Sequence, residues 1–332
     1  MPQNPALIAV VVRTVRVLNP LITEFTLESA DGGPLPGYTP GAHVRLPVQT
    51  ASGQADWRHY SLINLDPAPG ATGSPRHYRV AVRLEAQGRG GSRYLHAQLK
   101  PGLRIGIEAP RNDFPLAQAG GCTVLLAGGI GITPLLSMAA CCVGQGAAVR
   151  LHYAGRSPGL MAYAGEARDL LGERLHLHAD DEAGAPLDLD AVLAGCGPLD
   201  TLHVCGPLPL LDAVLARAQG LGWPRGRIHF ELFSGAPAAS EGADRPFEVC
   251  LQRSGRCHTV PAGRSILEVL LAQGCDPLYD CQRGECGVCA VPVLEGRPDH
   301  RDHVLTEAEK ATGQVIQICV SRSLSPRLVL DL

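Results

Sequence analysis

Cys281-Gln282-Arg283-Gly284-Glu285-Cys286-Gly287-Val288-Cys289 is the stretch on which the reading turns. Its three thiols have the spacing C-x4-C-x2-C, and a fourth, Cys319, follows 30 positions after Cys289. Three thiolates on one short loop, with a fourth from a distant strand, form the ligand pattern of a [2Fe–2S] cluster. Gly284 and Gly287 let the backbone come close enough for its N–H groups to bond to cluster sulfur and tune the potential. Zinc sites favour two C-x2-C pairs, and there is no second pair here. A Rieske centre needs two His beside two Cys, and no C-x-H occurs. The candidate metal ligands are therefore Cys281, Cys286, Cys289 and Cys319.

Outward from that loop, residues 246–332 read as β-rich, with a helix expected at 266–272. This segment resembles a plant-type ferredoxin, and the resemblance implies a β-grasp domain with the cluster loop at its edge. Before it, residues 234–244 (SGAPAASEGAD) are small and polar and predict a linker, placed at 236–245 between domains.

The middle of the chain alternates strand and helix. Apolar strands are expected at 122–127, 149–154, 175–179, 201–205 and 228–232. Helices are expected from Pro134 onward and at 162–171, 189–193 and 207–219. This is βαβ rhythm, which predicts a parallel sheet covered by helices on both faces. After the first strand comes Leu126-Ala127-Gly128-Gly129-Ile130-Gly131-Ile132-Thr133-Pro134. Glycines there let a pyrophosphate approach the backbone, and Pro134 suits the first helical position. The acidic ribose ligand of dinucleotide folds is missing. Arg156 and Ser157 follow the second strand, a hint of a 2′-phosphate. Val204-Cys205-Gly206-Pro207 closes the fourth strand, and strand carboxyl ends carry the ligand in such sheets. Cys205 is a candidate to face a nicotinamide; a buried thiol is the alternative.

The first third reads as all-β, with strands at 7–18, 22–27, 43–48, 57–65, 77–84 and 104–108 and one helix at 91–99. Strands at this spacing suggest a closed antiparallel barrel. Arg58-His59-Tyr60-Ser61-Leu62 lies on one strand, with Arg58 and Tyr60 on one face. A guanidinium pairs with phosphate, a phenol lies against an isoalloxazine, and Ser61 can bond near flavin N5. A partly buried Arg and Tyr on a barrel strand would look the same. The second element decides for flavin phosphate: Gly88-Arg89-Gly90-Gly91-Ser92 precedes the lone helix, whose N-terminus attracts an anion, and Ser92 suits the N-cap.

Composition bounds the function. The 332 residues carry a net charge of −3, with no basic footprint for nucleic acid and no polybasic membrane patch. No signal peptide is evident. The uncharged run 114–149 is broken by glycines and Pro134, so it predicts strand, loop and helix rather than a membrane span. Twelve cysteines without an export signal point to a reducing cytoplasm. Cys141-Cys142 read as packing, and Cys122, Cys196, Cys250, Cys257 and Cys275 show no ligand pattern. His300 and His303 flank a charged loop and are expected to be solvated.

R-x-Y-S, G-G-x-G-x-T-P and C-G-P occur in the order found in the ferredoxin reductase superfamily. With a C-terminal ferredoxin, and with GRGGSRYLH and His229–Gly235 (HFELFSG), the chain resembles the phthalate dioxygenase reductase group, which includes vanillate demethylase reductases. The resemblance implies three domains: an FMN-binding β-barrel over 1–115, an NAD-binding α/β domain over 116–235 and a [2Fe–2S] ferredoxin over 246–332. It implies FMN at Arg58, Tyr60, Ser61, Leu62, Gly90, Gly91 and Ser92. It implies NADH at Gly128, Gly129, Gly131, Thr133, Cys205, Gly206 and Pro207, followed here over the Arg156 hint. Ser61, Cys205, Glu231 and Phe233 would stand where hydride is transferred. The implied activity is an NADH-dependent reductase, passing electrons through FMN and the cluster to the Rieske non-haem iron component of an aromatic oxygenase or demethylase, and acting as a monomer. The rivals are a redox-sensing or ferredoxin-like binding module, and a reductase for a di-iron monooxygenase or a P450.

Overall fold

Strands with one buried face dominate the first part of the chain: β1 (Ile8–Asn19), β2 (Ile22–Ser29), β3 (His43–Gln49), β4 (Ala55–Ser61), β5 (His77–Arg83) and β6 (Arg104–Ile107), with α1 (Gly91–Gln98) between the last two. The computed structural model describes residues 7–86, 88–117, 120–233, 245–279, 281–282, 284 and 286–332. Alternate residues of these strands, among them Val10, Val12, Phe25, Leu27, Val44, Leu46, Tyr78 and Val80, point into one core that also takes Leu95 of α1. The barrel is built from two antiparallel sheets, β5-β2-β1-β6 and β3-β4, rather than one continuous ladder. Backbone bonds join their edges: Glu108 N–H to Arg45 O at 3.2 Å and a reciprocal His43–Arg111 pair on one side, Ile63 N–H to Arg79 O at 2.9 Å on the other.

The parallel sheet follows the expected rhythm. Its strands are β7 (Thr123–Gly128), β8 (Val149–Gly155), β9 (Leu175–Ala179), β10 (Thr201–Gly206) and β11 (Ile228–Leu232). Its helices are α2 (Ile132–Gly144), α3 (Ala164–Leu171), α4 (Asp180–Ala183), α5 (Leu189–Ala194) and α6 (Leu208–Gly220). The order β11-β10-β7-β8-β9 puts the reversal of strand order between β7 and β10. One face buries Leu125, Leu135 and Leu171 with α2 and α3; the other buries Leu126, Leu193 and Val214 with α5 and α6. Pro134 is not at the first helical position. A 3₁₀ turn, Gly129–Gly131, comes first, and Pro134 is the third residue of α2. The first turn has no intrahelical use for its N–H groups, so proline fits there equally well.

Barrel and parallel sheet share apolar core: Ile22, Ile63, Ala81 and Phe114 pack with Leu135, Met138 and Ala139 of α2. Buried polar groups fix the register. Ser137 Oγ donates to Leu62 O at 2.6 Å and accepts from Asn64 N–H at 2.8 Å, while Tyr163 OH donates to Glu24 at 2.7 Å. Residues 1–233 form one compact unit and 234–332 another. The expected linker, 234–244, lies outside the described residues.

The second unit comprises β12 (Phe247–Leu251), β13 (Cys257–Val260), α7 (Ile266–Ala272), β14 (Ala290–Glu295), β15 (Pro298–Asp299), α8 (Glu307–Thr312), β16 (Val315–Gln317), β17 (Arg322–Ser323) and β18 (Arg327–Leu330). The sheet order is β13-β12-β18-β14-β16, with β12 and β18 parallel and the other pairs antiparallel. This mixed sheet carries α7 on Ile266, Leu267, Val269 and Leu270, and a Ser265–Glu268 capping box starts that helix. The β-grasp expectation holds.

One expectation fails here, and one pairing was not foreseen. Cys250 and Cys257, read only as showing no ligand pattern, form a disulfide, because β12 and β13 set them directly opposite each other in antiparallel register. Cysteine spacing does not reveal cross-strand register. His300, read as solvated, has a side chain only 9% exposed beside Asp302.

Candidate cofactor sites

β4 pairs with β3 so that Arg58 lies opposite Leu46 and Tyr60 opposite Val44, both core residues. Arg58 and Tyr60 therefore share the inner face, as alternation predicts. Asp56, which the sequence reading missed, receives a 2.5 Å bond from Arg58 Nη1, and Trp57 O receives a second at 2.8 Å. Asp56 is held below the usual carboxylate range: burial opposes this, and the Arg58 and Trp57 hydrogen bonds outweigh it. Among the described residues, Arg58 Nη2 is buried with no partner, and so is Ser61 Oγ. Burial pushes the Tyr60 phenol up, so it stays protonated.

The N-terminus of α1 meets this guanidinium. A Cβ on Gly91 would sit 3.3 Å from both Cγ and Nε of Arg58, a tight contact that glycine avoids. Gly90, with φ of 99°, is the cap, and Ser92 is not. Ser92 is the second helical residue, and its Oγ accepts the Glu85 N–H at 3.0 Å, tying the preceding loop to the helix. Free first-turn amides and an orphaned guanidinium nitrogen thus meet at one place, and the orphaned Ser61 hydroxyl lies three residues further along β4. That donor set fits a flavin monophosphate.

The second site lies at the switch point between β7 and β10. Gly128 ends β7 beside Gly206 at the end of β10, and their backbones nearly touch: a Cβ on Gly206 would lie 3.0 Å from Gly128 Cα. A Cβ on Gly131 would lie 2.0 Å from Cys205 O, so the turn packs directly on the strand end. Pro207 caps α6. Thr133 is buried, and its hydroxyl donates to Ile130 O at 3.1 Å. Cys205 is fully buried and in register with buried Glu231 on β11. Phe233 packs against the core that contains Cys205. Exposed Arg156 follows β8. Gly128, Gly131, Cys205, Gly206 and Pro207 thus lie together at the carboxyl ends of β7 and β10, where open α/β sheets bind ligands.

The third site is the cysteine loop. Cys281, Cys289 and Cys319 are buried and Cys286 is partly exposed. Two sulfur–sulfur hydrogen bonds pair them, Cys281 with Cys286 and Cys289 with Cys319, and Cys281 also interacts electrostatically with the second pair. Hydrogen bonding to Cys281, then burial, pushes the Cys286 thiol up; hydrogen bonding to Cys289, then burial, does the same for Cys319. Hydrogen bonding to Cys319 lowers the Cys289 thiol instead, and metal binding takes all four as thiolates with release of their protons. Backbone amides already point at the sulfurs: Gly284 N–H at Cys319 and Val288 N–H at Cys286. Cys289 Sγ also bonds to Gln317 Oε1 at 3.3 Å. Gln317, buried two residues before Cys319, carried no motif signal, although its spacing from Cys319 was visible. Four converging thiols with amide donors fit a [2Fe–2S] cluster.

The 2Fe-2S iron-sulfur cluster binding domain family matches residues 250–324. Over nearly its full length the chain is 40% identical to the toluene-4-sulfonate monooxygenase system reductase subunit TsaB1 of Comamonas testosteroni, covering 98% of this chain and 99% of that protein. The solved structure of phthalate dioxygenase reductase superimposes with a TM-score of 0.72 at 35% identity, covering 98% of both chains. The chain belongs to the phthalate dioxygenase reductase family. Its relatives in that family include the vanillate O-demethylase oxidoreductase of Pseudomonas putida, 39% identical over 94% of this chain and 95% of that one. A type IV self-sufficient cytochrome P450 monooxygenase also matches, with a TM-score of 0.71 and 34% identity; this chain spans 41% of it. As a member of the phthalate dioxygenase reductase family, the chain is an NAD(P)H-dependent iron–sulfur oxidoreductase. No helix among the described residues is long and apolar enough to cross a membrane.

Proposed function

We propose that this chain is the NADH-dependent reductase component of an aromatic oxygenase or demethylase system, and that its acceptor is a Rieske non-haem iron protein. One observation carries the reading. A flavin-phosphate cradle, a nucleotide crevice at a topological switch point and a four-thiol cluster loop occur on one chain that matches such reductases end to end. Bound FMN supplies the conversion of a hydride donor into single electrons, and a [2Fe–2S] cluster accepts them one at a time.

The chain's own residues do the rest. Arg58 and the α1 amides hold the phosphate. Ser61 would offer its hydroxyl to the flavin, and protonated Tyr60 would offer its ring to it. Gly128, Gly129, Gly131, Thr133 and the Cys205–Pro207 turn hold the nicotinamide nucleotide. Buried Cys205 and Glu231 and partly buried Phe233 would border the transfer point and exclude water from it. Cys281, Cys286, Cys289 and Cys319 bind the irons, with Gly284 and Val288 amides spreading the sulfur charge. A cytoplasmic monomer is the form expected of this group.

The test is anaerobic stopped-flow mixing with NADH. Flavin absorbance is expected to fall before the cluster is reduced; cluster reduction in a flavin-free preparation contradicts the order. The likeness to the self-sufficient P450 favours a second reading, in which the acceptor is a haem protein. Steady-state turnover with a purified Rieske oxygenase and with a P450 side by side distinguishes the two.

A further inference from the structure

We propose that Asp302 is a positioning residue for the cluster: a buried carboxylate that braces the three-thiol loop against the turn carrying Cys319 and sets a fixed negative charge behind the irons. The inference rests on the [2Fe–2S] reading above and deepens it.

The Asp302 side chain is wholly shielded from solvent. Its Oδ2 accepts Leu305 N–H at 2.8 Å and its Oδ1 accepts the Ser321 hydroxyl at 3.3 Å. Burying a carboxylate is costly, and such charge is retained where it is hydrogen-bonded. Ser321 is itself fully buried and accepts Arg301 N–H at 3.1 Å. It lies two residues past Cys319, in a turn where Gln317 O accepts both Val320 and Ser321 N–H. Asp302 thus grips the fourth ligand's turn through one hydroxyl.

On its other side Asp302 touches the ligand loop. Gly284 has φ of 73°, and a Cβ there would lie 3.2 Å from Asp302 Cα and 3.3 Å from its Cβ. Gly284 O accepts the neighbouring His303 N–H at 3.0 Å, while Gly284 N–H points at the Cys319 sulfur. His300 Nδ1 lies 3.7 Å from Asp302 Oδ1. Both halves of the thiol set therefore meet at this one residue. A carboxylate held between the two halves of the thiol set opposes the arrival of an electron.

The experiment compares the full-length wild type with Asp302→Asn and Ser321→Ala by spectroelectrochemical titration and EPR of the reduced cluster. Asp302→Asn keeps the shape and removes the charge. It is expected to raise the midpoint potential by a tenfold shift in the one-electron equilibrium, 59 mV. Ser321→Ala keeps the charge and cuts the link to the Cys319 turn; it is expected to change the EPR g-values with little change in potential. A residue that merely caps Leu305 would alter melting and cluster content and leave the potential in place. An unchanged potential in loaded Asp302→Asn overturns the proposal. Should that variant load no cluster, Ser321→Ala decides, and a wild-type spectrum from it overturns the proposal. A wild type without a [2Fe–2S] signal refutes instead the reading on which this one rests.

Discussion

Arg58 uses one terminal nitrogen within the protein and keeps the other for something else. Nη1 is fixed by Asp56 and Trp57 O, which locks the guanidinium, while Nη2 is buried and unsatisfied. Hydrogen bonds to a charged group contribute about 1.5–3 kcal/mol. Arg58→Ala is therefore expected to weaken FMN roughly tenfold to a hundredfold, measured by flavin fluorescence on titration of the apoprotein. Undiminished affinity would remove Arg58 from the site. Gly131 poses a steric question instead. With Cys205 O only 2.0 Å from where its Cβ would lie, Gly131→Ala must displace the turn from β10. It is expected to raise the KM for NADH while leaving bound flavin in place, as steady-state kinetics would show. Both positions were legible in the sequence, because glycines between a strand and a helix, and R-x-Y-S on a strand, carry local signals. Asp56, Gln317 and Asp302 were not. Each acts through a neighbour in space, and no spacing rule announces that.

At the scale of elements, the strands and helices were readable because alternation and 3.6-residue periodicity survive in this sequence, down to β9 and β11 at their observed limits. Caps and registers were not. Ser92 looks like a cap, yet Gly90 takes the left-handed position and releases Ser92 into the helix. Cys250 and Cys257 meet only because two strands pair in one register. The β10 strand carries a further consequence. His203 is fully buried, stacked on His229, and its Nε2 accepts Ala117 N–H at 3.1 Å, joining the chain entering the parallel sheet to the sheet itself. Burial first, and His229 second, lower its pKa to about 3. An unfolded chain takes up that proton near pH 6.5 and the folded one refuses it, so the stabilisation is complete above about 6.5 and is lost as pH falls toward 3. His203→Gln, which keeps an acceptor and cannot titrate, is expected to flatten the fall in Tm between pH 6 and 4 (roughly the titration window). An unaltered pH profile would show that the acid sensitivity lies elsewhere.

At the scale of the molecule, barrel and parallel sheet pack through α2 within one compact unit, and the ferredoxin fold forms a second. The order of the three architectures could be read from the sequence, since each has its own periodicity. The shared core between the first two could not, because Ile22, Ile63 and Phe114 look like ordinary barrel residues until α2 is laid against them. The claim on which everything depends is that this chain carries one flavin and four sulfurs closing on a pair of irons. Absorbance and EPR spectra of anaerobically purified full-length protein, with flavin extraction and iron and sulfide analysis, test it most directly. The account predicts FMN in equal amount to protein, iron and acid-labile sulfide each at twice that amount, and a reduced [2Fe–2S] EPR signal. Zinc in the cysteine loop, FAD in the extract, or a preparation that binds neither flavin nor iron would contradict it.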